Sequence, residues 1–91
     1  MRRLWFKQQY VSDILSGRKT STVRRGTISL PVGAILAASV GPRPPFARLR
    51  ITACEPLMLR EADAEKRAAL RAIYPGCSVF TVIRFEVVPV G

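Results

Sequence analysis

Lys19, Thr20 and Thr22 stand among Arg18, Arg24 and Arg25 in the stretch SGRKTSTVRRG, residues 16–26. A hydroxyl is a weak nucleophile until a base removes its proton, and a lysine is such a base only as the neutral amine. Lys19 and Thr22 are thus a base and a nucleophile by residue type, and the basic stretch as a whole fits a phosphate-binding or nucleotide-handling loop. Each residue also has a plainer explanation. Arg18 and Lys19 follow a helical pattern whose C-terminal dipole favours cations. Thr20 and Thr22 are β-branched at the start of a strand pattern. In a regular strand the two threonines share one face and Lys19 takes the other, so Lys19 meets Thr22 only if the chain bends near Thr20.

The rest of the chain limits what this stretch can do. Ninety-one residues fit one domain, 1–91. Fifteen Lys and Arg against six Asp and Glu give a net charge of +9, which attracts polyanions or nucleotides. An Arg-rich base composition accounts for the same excess. There is no histidine, and Cys54 and Cys77 lack metal-ligand spacing. A zinc site and a histidine-based mechanism are thereby disfavoured, and no metal or other cofactor is expected. The opening MRRLWFKQQY has too short an apolar run for a signal peptide, and no segment reaches membrane-spanning length. The expected setting is the cytoplasm, with both thiols reduced and buried.

Periodicity supplies the elements that must position the basic stretch. Residues 2–6 read as a short strand. Residues 7–17 read as a helix, with Tyr10, Val11, Ile14 and Leu15 at helical spacing and Gly17 as its stop. Strands come next over 20–24 and 32–40, then a turn, GPRPP, over 41–45. The segment 46–54 alternates, with Leu49, Ile51 and Ala53 on one face and Arg48, Arg50 and Thr52 on the other. A second helix spans 62–74 before Pro75-Gly76, and a strand spans 78–88. The order β-α-β-β-β-α-β predicts an α+β fold: a small β-barrel or curled antiparallel sheet with two flanking helices.

YVSDILSGRKTSTVR, with PVGAIL, ITACEPL, LRAIYPG and FTVIRFEVV, resembles the ASCH domain of the PUA-like superfamily. Within it, the small bacterial N4-acetylcytidine amidohydrolases are the most similar branch. The likeness runs from about Phe6 to Val88 and implies a compact barrel whose pocket faces a nucleobase or RNA. In that branch catalysis is assigned to a Lys, a Thr and a Glu. The Lys falls on Lys19 and the Thr on Thr22. The Glu falls on no single residue, because LREADAEKRAAL is shorter than the family's segment; Glu61 and Glu65 are the candidates. With Ala62, Ala69, Leu70 and Ile73 as the buried stripe, at about 100° per residue, Glu65 lies at its edge and Glu61 further out. Glu65 is preferred. Either carboxylate is also explained as a favourable charge in a first helical turn.

The resemblance thus implies metal-independent cleavage of an N4-acylated cytosine or cytidine. Arg18, Thr20 and Arg24 are the candidate substrate-binding residues, and Arg24 lies two residues beyond Thr22 on the same strand face. The expected partner of a monomeric chain is a nucleoside or nucleobase, without a membrane. The competing expectation is a non-catalytic RNA-binding module, whose phosphate-tracking surface Arg48 and Arg50 would extend. Tyr74, Phe80 and Phe85 are expected in the core rather than as stacking platforms.

Overall fold

The computed structural model describes residues 2–89. Its strands are β1 (Arg3–Trp5), β2 (Ser21–Arg25), β3 (Ile35–Ser39), β4 (Ala47–Met58) and β5 (Val79–Val87). Two helices interrupt them, α1 (Val11–Leu15) and α2 (Ala64–Ile73). Each is preceded by a single 3₁₀ turn, Gln8–Tyr10 and Leu59–Glu61. The strands form one sheet in the order β1-β3-β4-β5-β2. The expected α+β architecture with a curled sheet and two helices is present, with two differences in the sheet.

First, the sheet is mixed. β1 runs parallel to β3, in the register Arg3↔Ala37 to Trp5↔Ser39, and every other pairing is antiparallel. A parallel pair needs a long connection, and the segment carrying α1 and β2 provides it. Second, no hydrogen-bond ladder closes the sheet, because β1 and β2 are its two edges. Those edges nevertheless approach. Phe6, just beyond β1, lies under the guanidinium of Arg24 on β2, 4.9 Å from ring centroid to Cζ. Phe6 also packs edge-on to Phe46 and Phe85, at centroid distances of 6.4 and 5.9 Å. Around it Ile14, Leu36, Ala38, Leu49, Ile51 and Ile83 form the core.

The alternation in β4 breaks where a bulge enters. Leu49 and Ile51 are buried, but the register with β5 shifts between Ile51 and Ala53. An extra residue inverts the phase of the strand beyond it. Cys54 therefore packs against the core in place of Ala53, and its thiol donates to the Ile28 carbonyl at 3.3 Å. Both cysteines are free and half-buried rather than fully buried. Of β4, only Ala47–Arg50 pairs with β3, so the far half of β4 has a free edge that tolerates Pro56.

The expected helix over 7–17 is shorter, a 3₁₀ turn running into five α-helical residues. Ile14 alone within α1 is buried, and Gly17 ends the helix at φ 80°, a left-handed conformation glycine adopts freely. α2 is capped by Asp63, whose carboxylate accepts from the Lys66 amide at 2.8 Å. Arg67 donates to the carbonyls of Leu59, Arg60 and Ala62, which ties α2 to the turn before it. No helix among the described residues is long and apolar enough to cross a membrane.

One buried side chain fixes the loop after β2. Thr81 accepts from the Ile28 amide at 2.9 Å and donates to the Gly26 carbonyl at 2.8 Å. Thr81→Val keeps the volume but strips both groups of their partner, at a cost of about 1–3 kcal/mol. For a chain of this size each kcal/mol lowers Tm by about 4–8 °C. Thermal unfolding of Thr81→Val is expected to show that loss, with faster hydrogen exchange at the Ile28 amide. An unchanged Tm would mean the loop does not depend on this hydroxyl.

Candidate active site

A cavity of about 640 Å³ lies where the two sheet edges and α2 meet. Trp5, Phe6 and Lys7 line it from the end of β1, and Thr22, Val23 and Arg24 from β2. α2 contributes Lys66, Ala69, Leu70 and Ile73, with Tyr74 next in the chain. Their spacing of i, i+3, i+4, i+7 makes one helical stripe. The volume falls in the range of small-molecule sites.

Lys19 reaches the cavity because the chain turns sharply before β2. The Lys19 amide donates to the Asp13 carbonyl at 2.9 Å, folding residues 16–18 into a tight loop. Asp13 also draws Arg18 outward, with Nε donating to Oδ1 at 2.9 Å, and Arg18 reaches the Ser12 hydroxyl at 3.4 Å. The Lys19 ammonium then lies 4.8 Å from the centroid of the Tyr10 ring. A cation over an aromatic face gains about 0.5–1 kcal/mol or more and is held in place. β2 begins only at Ser21, so Lys19 and Thr20 precede the strand. This bend puts Lys19 and Thr22 on one cavity.

Thr22 is 9% exposed, and among the described residues its hydroxyl makes no hydrogen bond. Arg24 is half-buried over Phe6, and its Nε is buried without a hydrogen-bond partner. Burial pushes its pKa below the usual arginine value, and Tyr74 opposes that shift. An arginine with such a donor remains a cation. A buried donor without a partner costs about 1–3 kcal/mol, which an acceptor on a ligand would recover.

Lys19, Thr22 and Arg24 therefore converge, and the other expected residues do not. Arg18 is paired with Asp13 outside the cavity. Thr20 faces a smaller groove beside α1 and β5, and its carbonyl accepts from the Phe85 amide at 2.9 Å. Glu61 and Glu65 are exposed, and neither lines the cavity. The reason lies in where α2 starts. Ala62 belongs to the turn before it, so it does not define the helical stripe. The stripe is Lys66, Ala69, Leu70 and Ile73, and Glu65 sits about 100° away from Lys66. Ala69 and Ile73 face the cavity rather than the core; Ile73 is 64% exposed. Tyr74 likewise forms a wall, tilted on buried Phe80 at 5.7 Å, while Phe80 and Phe85 are core.

Lys66 was legible as a member of that stripe once the helix start is known. Tyr10 was legible only as a helical position and Phe6 carried no sequence signal, since each reaches the site through a contact distant in the chain. Among the described residues the lining contains four cations, Lys7, Lys19, Arg24 and Lys66, and no carboxylate. Nor is any group of three or more described His, Cys, Asp or Glu side chains placed to hold a metal ion.

Neither a family model nor a curated protein sequence matches the chain. Solved structures do. The ASCH domain of Lactobacillus crispatus superposes with a TM-score of 0.69 at 14% identity, covering 94% of this chain and 78% of that one. A protein of Enterococcus faecalis gives 0.69 at 20% identity, covering 96% and 79%. A point variant of the ASCH protein of Zymomonas mobilis gives 0.66 at 15% identity, covering 93% and 66%. At such identities the likeness is one of fold, and the fold is that of these ASCH-domain structures.

The two buried threonines of neighbouring strands make a stability test. Among the described residues the Thr22 hydroxyl makes no hydrogen bond, so Thr22→Val is expected to hold Tm near wild type, within the roughly 0.5 kcal/mol of a neutral substitution. Thr81→Val, made in parallel, is expected to lose several degrees. A comparable loss for Thr22→Val would make its hydroxyl a structural group.

Proposed function

We propose that the cavity hydrolyses the N4-acyl amide of N4-acetylcytidine or a related N4-acylcytosine. The observation that carries this reading is one cavity lined by Lys19, by Thr22, whose hydroxyl has no partner among the described residues, and by Arg24 with a buried free donor. Lys19, as the neutral amine, takes the Thr22 proton, and Oγ1 attacks the acyl carbon. Collapse of the tetrahedral adduct breaks the bond from that carbon to N4, and the proton held by Lys19 passes to the departing nitrogen. Water then gives a proton to Lys19 and attacks the acyl-Thr22 ester, releasing acetate and restoring the hydroxyl. Arg24 donates to the carbonyl of the base, which orients the amide. Direct attack by a Lys19-activated water gives the same products, and trapping an acyl-Thr22 adduct by mass spectrometry separates the two routes. The carboxylates stand outside this scheme, because Glu61 and Glu65 do not line the cavity.

The decisive measurement is acetate release from N4-acetylcytidine. Lys19→Arg keeps the charge but is no base at ordinary pH, so kcat is expected to fall at least about 10²-fold. Thr22→Val is expected to lose activity while keeping its fold. Near-normal turnover by a folded Lys19→Arg protein would remove Lys19 from the role of base.

Two further outcomes define the scheme. Glu61→Gln and Glu65→Gln are each expected to stay within about threefold of wild type in kcat/KM, the scale of neutral surface substitutions. A dead but folded variant would return that carboxylate to the mechanism. Exhaustive chelation with EDTA is expected to leave the rate unchanged, since no ligand cluster is available among the described residues. If wild type releases no acetate and binds RNA with a steep salt dependence, a non-catalytic RNA-binding role takes over.

A further inference from the structure

The charge of the cavity is one-sided to a degree that a neutral amide does not require. Lys19 and Arg24 are half-buried, and Lys7 and Lys66 stand on two different walls, with no Asp or Glu among the lining residues. Like charges facing one cavity repel each other, and a bound anion relieves them. Several cations elsewhere are engaged within the protein. Arg50 pairs with Glu86 at 2.7 Å, Arg18 pairs with Asp13, and Arg3 and Arg67 donate to backbone carbonyls. Among the described residues the ammonium groups of Lys7 and Lys66 have no such partner. Beside them two large apolar side chains are left to solvent at the cavity wall, Trp5 at 56% and Ile73 at 64% exposure.

Apolar walls and free cations on one cavity fit a ligand that is flat at one end and anionic at the other. We propose that the cavity takes a nucleoside monophosphate, with Lys7 and Lys66 as the phosphate subsite and Arg24 at the base. A phosphomonoester carries about −1.5 to −2 charges at neutral pH, concentrated on one group. That concentration matches cations gathered on one cavity better than the single charges strung along a nucleic-acid strand. The identity of the base as cytosine rests on the function proposed above; the phosphate subsite rests on the lining charges alone.

The test needs no turnover. Trp5 is the sole tryptophan of the chain and lines the cavity, so its emission reports occupancy. Cytidine and cytidine 5′-monophosphate are titrated against wild type and against the Lys7→Gln, Lys66→Gln double variant, whose Tm is checked first. The monophosphate is expected to bind wild type about tenfold more tightly at low salt, from two or more exposed charge contacts. That ratio is expected to shrink toward one at roughly 0.5 M KCl, and also in the folded double variant. Equal affinity for the two ligands on wild type overturns the phosphate subsite and leaves the proposed hydrolysis standing. A preference that survives in the double variant overturns the assignment to Lys7 and Lys66. Tighter binding of a cytidine-rich hexaribonucleotide than of the monophosphate overturns the mononucleotide in favour of a strand. If neither ligand binds by emission or calorimetry, the subsite and the cytosine reading fall together.

Discussion

Phe6 joins the two edges of a sheet that hydrogen bonds leave open. Its amide donates to Ser39 on β3, its ring edge meets Phe46 and Phe85, and its face carries the Arg24 guanidinium from β2. A ladder between β1 and β2 would remove both edges but would also fill the space between them. A side-chain bridge lets the sheet curl almost to closure and keeps a gap. α2 lays one stripe against that gap, and the remaining space is the cavity. The same residue thus anchors the core and shapes the site.

The site carries features that a core would not tolerate. Arg24 is partly desolvated with a buried donor unpaired, and Thr22 lines the cavity with a hydroxyl that makes no hydrogen bond among the described residues. The unpaired Arg24 donor is costly in the free protein, and an acceptor entering the cavity would recover that cost. Thr81, one strand away and also buried, shows the contrast. Its hydroxyl is fully used in holding the 26–28 loop. Two threonines of the same chemistry therefore have different roles, set by what surrounds each.

The structural likenesses, at 14–20% identity, bear on architecture. Chemistry has to come from the site, since one fold hosts many activities. Here the site is basic and partly apolar, and among the described residues no carboxylate lines it.

Local pattern determined much of this protein. Alternating apolar residues marked β4, Gly17 marked the end of the first helix, and Pro75-Gly76 closed the second. SGRKTSTVRR was legible as a candidate stretch because its residue types are unusual together. Three things lay beyond local pattern. A bulge at the middle of β4 inverted the phase of the residues after Ile51, which depends on pairing with β5. The parallel pairing of β1 with β3 and the approach of β1 to β2 arise from strand order. The start of α2 at Ala64, capped by Asp63 and tied back by Arg67, turned Lys66 rather than Glu65 toward the cavity. Periodicity along a chain fixes which residues share a face of one element. Which face meets which depends on register, closure and helix phase, and those are set by contacts between residues far apart in the sequence.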